Sequence, residues 1–272
     1  MSDIQVANHN PFDAVPPEVI LEISTQLGLA STKSWVSFRQ TCRRFRNLTA
    51  NYEASTVKDI MARYPQETLE RMGIRLAAPT YPSMHTALRR FATMKWIMSG
   101  VSYIVKSSCK AQPKLAVARF EEGLKLIYAV SDQTSYSDKV RLLHKMSITS
   151  LVSLWLALYF CHDEACEQSK GIVDNEHRAD DADFRRQVEV AFGEEVLWQG
   201  PTFVYDTLKC VDRADKALQR RLAIVQQAES DTRDNTYRPV DAGIVYNELE
   251  DWLSGALGCD KWDLVYEAFY GM

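Results

Sequence analysis

Residues 12–48 read FDAVPPEVILEISTQLGLASTKSWVSFRQTCRRFRNL, and the spacing of their apolar positions decides the fold. Pro16 and Pro17 suit the first turn of a helix, where no N–H is needed, and Glu18 behind them favours the positive helix start. From there Val19 or Ile20, Ile23 and Leu27 recur at three- and four-residue steps, which places them on one helical face, and Gly28 ends the run. Across residues 30–34 a second stripe runs Trp35, Phe38, Cys42, Phe45 and Leu48, while Arg39, Arg43 and Arg46 share another face. Chains below ~40 residues rarely bury enough surface to fold without a metal, a disulfide or a partner, and nothing in this stretch supplies the first two. Both stripes therefore need a covering surface.

The stretch resembles the F-box. That family's pattern opens Leu-Pro-x-Glu followed by aliphatics, which stands here as Val15-Pro16-Pro17-Glu18-Val19-Ile20, and continues to an Ile and a Leu, matched by Ile23 and Leu27. It closes Cys-Arg-x-Phe/Trp-Arg-x-Leu, which stands here as Cys42-Arg43-Arg44-Phe45-Arg46-Asn47-Leu48. The departures are Val15 for Leu, Ser24 where an apolar residue is common, Ser34-Trp35 for Asp-Leu, Thr41 for Val, and a longer middle loop. The resemblance covers about a seventh of the chain.

What the resemblance implies is docking on a Skp-type adaptor, which ties such chains to a cullin and a RING subunit. The rest of the chain then captures a target, as the substrate-recognition subunit of an SCF-type E3 ubiquitin ligase. On this reading the adaptor-binding set is Val15, Pro16, Glu18, Ile20, Ile23, Leu27, Trp35, Phe38, Cys42, Phe45 and Leu48. Some of these hold the module's own helices together, and the sequence does not divide the set. An F-box scaffold that delivers no target for ubiquitination, or a helical enzyme with a fortuitous F-box-like start, are the alternatives. The arginines read as a solvated face near an acidic adaptor rather than as a nucleic-acid contact, given the acidity of the chain.

With 46% hydrophobic and 25% charged residues, the 272-residue chain has the composition of a globular protein. A net charge of -4 without a long basic run argues against a general nucleic-acid binder. The polar start MSDIQVANHN is neither a secretory signal nor a transit peptide, so the expected location is cytoplasm or nucleus. The most apolar run, 148–160, is interrupted by Thr149, Ser150 and Ser153 and falls short of the ~20 residues of a membrane span. Cysteines 42, 109, 161, 166, 210 and 259 show no regular spacing and read as free thiols.

The fold expected is all-α: a flexible N-terminus (1–11), the F-box module (12–50) and a largely helical target-binding domain (51–272). Within the last, LAAPTYP at 76–82 reads as a connection because its two prolines bar a continuous helix. Leu88, Phe91, Ile97, Val101 and Ile104 mark a long helix, and Val117, Phe120, Leu124 and Ile127 mark another. Residues 140–160 read as a single core helix, and a polar stretch, 167–183, precedes Phe184, Val188, Phe192 and Val196. After Gly200-Pro201, Val204, Leu208, Val211, Leu218, Leu222 and Val225 almost keep a heptad register, read as packing within the domain. Residues 228–241 read as a loop, 244–257 as a helix, and Trp262, Val265, Tyr266 and Phe269 as a final apolar face. No repeat of 20–50 residues emerges, so the repeat domains common among F-box proteins are not expected. The repeat-free helical region resembles that of many filamentous-fungal members of the family.

The phosphate-loop, zinc-hydrolase and serine-hydrolase signatures are absent from the sequence, so no catalytic, cofactor or metal residues are assigned. Three weaker constellations remain, of which His85 and His144, in helical segments without a nucleophile motif, read as surface or core residues. Cys161-His162-Asp163-Glu164-Ala165-Cys166, with His177 beyond, offers metal-ligand residue types, with His162 and Cys166 one helical turn apart. Asp180-Asp181-Ala182-Asp183 resembles the magnesium-binding acids of isoprenoid-processing enzymes, one residue short of their spacing. Helix ends account for both stretches: packed cysteines in the first, and acids before Phe184 at a helix start in the second.

Overall fold

Pro17 opens helix α1 (Pro17–Ala30) with Glu18 in its first turn, as the two prolines dictate. The computed structural model describes residues 14–258 apart from 72, 75, 109–111, 175–180 and 234–242. Of these residues 85% are helical and none lies in a strand. The chain forms two compact units, Met1–Phe91 and Ala92–Met272.

In the first unit Ser31 caps α2 (Thr32–Thr41) by accepting from Ser34 N, and the Cys42 thiol caps α3 (Arg43–Ala62) by accepting from Phe45 N. The two caps set the hairpin turns between the first three helices, which pack on one another. A short α4 (Gln66–Arg71) follows, then the start of α5 (Tyr81–Ser108), where Pro82 sits in the first turn. The expected division at residue 50 falls inside α3, and the unit runs on to Phe91.

The second unit is organised by α8 (Ile148–Gln168), whose residues from Leu151 to Leu158 are all buried. A helix apolar on every side belongs at the centre of a core. Its closest partner is α6 (Pro113–Ser131), whose Phe120 meets the Phe160 ring edge-on and whose Gly123 lies against Ser153 and Ala157. A Cβ on Gly123 would stand 2.0 Å from the Ser153 carbonyl oxygen and 2.5 Å from the Ala157 Cβ, so the glycine is what lets the two backbones approach. Around this pair lie α7 (Tyr136–Lys145), α9 (Ala182–Gln199), α10 (Pro201–Leu208), α11 (Asp212–Arg233) and α12 (Val245–Leu257). Of these, α9 packs on α6, α8, α11 and α12, while α12 also packs on α7 and α8.

Four further sequence expectations change, and the first is the second stripe, 35–48, which reads as one helix but divides between α2 and α3 because Cys42 is extended. The run 140–160 is two helices, because Met146 is extended and Ser147 caps α8 by accepting from Ser150 N. No glycine or proline marks that break. The heptad-like run from Val204 to Val225 divides at 209–211, where Cys210 takes a left-handed φ of 52°, so α10 and α11 pack separately into the unit. Helix α11 continues to Arg233, into the expected loop 228–241. Residues 259–272, with their apolar face, lie outside the described residues, as do Cys109, His177, Asp180 and Cys259.

Lys139 of α7 is fully buried, and its ammonium donates to the Val130 carbonyl at 2.8 Å and the Leu197 carbonyl at 3.0 Å. One amine thus satisfies carbonyls near the ends of α6 and α9. Burial pushes its pKa below the ordinary 10.5, against the opposing pull of Glu194 and Asp132. Between that lowered value and 10.5 the folded chain binds fewer protons here than the unfolded chain, so this residue's contribution to stability rises with pH across the window. Lys139→Met should cost about 3 kcal/mol, since two buried carbonyls lose their donor. It should also flatten the rise. Urea unfolding of both chains at several pH values up to 10.5 measures this; equal stabilities throughout would count against the clamp.

Candidate docking surface

The buried face of α1 is Ile20, Ser24 and Gly28, one residue round from the stripe that the apolar spacing suggests. Two aromatic residues cause this offset. The Trp35 indole N–H donates to Ser24 Oγ at 3.1 Å, and its ring meets the Tyr81 ring with centroids 4.6 Å apart. At Gly28 a Cβ would lie 2.1 Å from Tyr81 Cε1, so only a residue without a side chain admits that ring. His85 bonds the Gly28 carbonyl, closing the end of α1. Small residues at 24 and 28 therefore face inward because large ones from α2 and α5 fill the space above them.

The outward consequence is an apolar stripe. Val19 is 45% and Ile23 41% exposed, with exposed Pro16 before them and half-buried Leu27 after them. Steps of three and four residues put all four on one face. Leu29, Val36 and Tyr52 are exposed nearby in sequence, so five of the ten exposed large apolar side chains among the described residues lie within 19–52. Scattered surface apolar side chains are ordinary, but half of those among the described residues fall within this one short stretch.

The structure divides the expected adaptor-binding set. Ile20, Trp35 and Phe45 are buried and hold the unit together, Phe45 stacking on Phe38 at 4.7 Å. Val15, Leu27, Phe38, Cys42 and Leu48 are half-buried, and Pro16, Glu18 and Ile23 are exposed. The Val15 carbonyl accepts from Arg44 Nη2 at 2.7 Å, which ties the start of α1 to α3. Arg39 lies over the Trp35 ring at 4.5 Å and pairs with Glu53 at 3.7 Å, whereas Arg43 and Arg46 are exposed. Val19, Leu29, Val36 and Tyr52 were not in the expected set. For Val19 the four-residue steps to Ile23 and Leu27 are the legible signal.

No protein-family model, curated protein or solved structure matches this chain.

The weaker constellations have structural partners. Cys161 is buried, which pushes its thiol pKa up, and the Glu164 carboxyl is raised for the same reason. The His162 Nε2 and Cys166 Sγ are 3.6 Å apart, and the imidazole packs on Phe192. Among the described residues no group of three or more His, Cys, Asp or Glu side chains is placed to hold a metal ion. Asp181 caps α9, accepting from the Asp183 and Phe184 N–H groups at 3.0 and 3.2 Å.

Three buried carboxylates of the second unit, Glu194, Glu195 and Glu250, have donors. Glu194 accepts from Trp198 Nε1 at 2.7 Å and Tyr246 N at 2.8 Å, with its pKa raised by burial and opposed by these bonds and Arg221. Glu195 pairs with Arg221 at 2.7 Å, and Arg186 bridges Glu189 and Glu250. The network joins α9 to α11 and α12. A cavity of about 150 Å³ lies elsewhere, lined by Lys170, Thr207, Cys210, Asp212 and Asp215 over Val173 and Leu218. No helix among the described residues is long and apolar enough to cross a membrane.

Proposed function

We propose that this chain is a substrate-recognition subunit of an SCF-type ubiquitin ligase, docking on a Skp-type adaptor through α1 and its neighbours and capturing a target through the second unit. One observation carries the reading: α1 turns Ile20, Ser24 and Gly28 inward and leaves the Pro16–Val19–Ile23–Leu27 stripe available, on the stretch that resembles the F-box. A helix that only stabilised its own unit would place its larger apolar residues inside. Here the outward stripe offers anchors for a partner's apolar pockets. The exposed Arg43 and Arg46 suit an acidic adaptor, and the location expected for such a chain is cytoplasm or nucleus.

The test separates docking from folding. Val19→Asp with Ile23→Asp should weaken binding to a Skp-type adaptor at least ~30-fold while leaving thermal unfolding unchanged, because both side chains are exposed. Ile20→Ala should instead lower the unfolding temperature, at a cost of ~2–5 kcal/mol for a buried side chain. A folded double variant that binds the adaptor as the parent does would remove α1 from the docking surface. Adaptor-dependent turnover of a captured target then decides between ligase subunit and scaffold.

A further inference from the structure

The cavity of about 150 Å³ in the second unit is walled by the turn after α8, the turn between α10 and α11, and the first turns of α11. Hydrogen bonds hold these walls in place. Asp215 accepts from the Ile172 N–H at 3.2 Å on one carboxylate oxygen and from Gln219 Nε2 at 2.8 Å on the other, which fastens the first of these turns to α11. Gly171 takes a φ of 93°, and a Cβ there would lie 2.4 Å from Asp215 Oδ1, so the turn closes only on glycine. The second turn is closed by Cys210 N on the Thr207 carbonyl at 2.9 Å and Val211 N on the Asp206 carbonyl at 3.0 Å.

Val173, Ala214 and Leu218, each no more than 3% exposed, give the cavity an apolar floor. Among the described residues its charged lining is Lys170, Asp212 and Asp215, the first two exposed and the third half-buried. Arg213 is drawn to Asp206 and does not line it. Acids in a helix's first turn are ordinary, but here they share a cavity with a lysine that has no partner among the described residues. Charges of both signs over an apolar floor select the occupant by exclusion. A simple anion would meet Asp212 and Asp215, a simple cation would meet Lys170, and an uncharged apolar body would answer none of the three. A small zwitterion with an apolar body answers all of them. A cavity of ~150 Å³ holds a body the size of benzene, which limits the apolar part to a short aliphatic chain with its charged groups at the mouth.

We propose that this cavity binds a free α-amino acid with a short aliphatic side chain, of valine or leucine size. Its ammonium meets Asp212 and Asp215, its carboxylate meets Lys170, and its side chain packs on Val173, Ala214 and Leu218. The site uses no residue of the α1 stripe and stands apart from the docking reading.

Calorimetric titration of the full chain with L-valine, and with isobutylamine and isobutyrate, which carry one charge each, tests this. L-Valine should bind with a Kd of ~0.1–1 mM, within reach of a ligand of about eight non-hydrogen atoms. Each single-charge molecule should bind at least ~5-fold more weakly, since it lacks one ion pair. Cys210 lines the cavity and gives a second readout. L-Valine at ten times its Kd should slow alkylation of Cys210 by iodoacetamide about tenfold, as the unoccupied fraction falls, and leave Cys42 unaffected. Lys170→Met should weaken L-valine about fivefold without weakening isobutylamine, and Asp212→Asn should weaken L-valine and isobutylamine without weakening isobutyrate. Both side chains are exposed, so neither variant should lose the fold. A change of charge preference is not what a merely structural role would produce. No heat at ~10 mM L-valine overturns the assignment. So do heat without protection of Cys210, single-charge molecules that bind as tightly as L-valine, and affinities indifferent to both substitutions.

Discussion

Gly123→Ala should lower the stability of the second unit by about 3 kcal/mol, at the upper end of what overpacking a core costs. Two effects compete at this position. Alanine is favoured over glycine inside a helix by ~1 kcal/mol, so a site with room would gain stability from the change. Here the new methyl group would meet the Ser153 carbonyl oxygen at 2.0 Å and the Ser153 carbonyl carbon at 2.8 Å, both backbone atoms of the central helix. Backbone cannot rotate aside as a side chain can. The helices have to separate instead, and the packing of Phe120 on Phe160 and the rest of the α6–α8 contact are weakened along with them. For a unit of this size the cost corresponds to a fall of roughly 6–12 °C in unfolding temperature. Scanning calorimetry gives the sign directly, and a rise in temperature would show that α6 and α8 are not in backbone contact at Gly123.

Much of the helical content was legible because it rests on local periodicity. The Phe120, Leu124 and Ile127 steps and the Val188, Phe192 and Val196 steps both mark faces that are buried. The α7–α8 and α10–α11 breaks were not legible, since a serine cap and a left-handed cysteine interrupt helices without the usual glycine or proline. The orientation of α1 was hidden for a different reason. Its spacing alone admits either Ile20 or Val19 on the inner face, and the choice falls to Ile20 because Tyr81, distant in sequence, fills the space over Gly28. A nonlocal contact thus decides which residues of α1 face outward. The pattern Ile20, Ser24, Gly28 carries a trace of this, as small residues at four-residue steps let another element approach. The buried carboxylate network was equally illegible, since Arg221 meets Glu195 and Arg186 meets Glu250 across long separations in sequence.

The first unit runs to Phe91, and residues beyond 50 carry much of its buried apolar surface. A fragment of residues 1–50 should show no cooperative thermal transition, whereas residues 1–91 should melt as a folded unit. Ending the chain at Ala50 cuts α3 before its close at Ala62 and removes Val57, Ile60, Met61, Tyr81 and Met84, all buried. Each such side chain contributes roughly 1.5–3 kcal/mol by leaving water, so their combined loss rivals the ~5–15 kcal/mol that holds a small domain together. The cut also removes Glu53, which holds Arg39 and accepts from Tyr81 N at 2.9 Å, and His85 at the Gly28 carbonyl. What remains is α1, α2 and the first two turns of α3 with uncovered faces, which should gain helix only when an adaptor covers them. Circular dichroism of both fragments, with and without a Skp-type adaptor, measures this. A 1–50 fragment that melts cooperatively at the same temperature as 1–91 would show that α5 adds nothing to the module. If the longer fragment alone is folded, it also holds the Val19–Ile23 stripe in its native orientation. In cells it should then compete with the full chain for the adaptor without holding any target. Residues 92–272 should bind the target without delivering it, and so lengthen its lifetime.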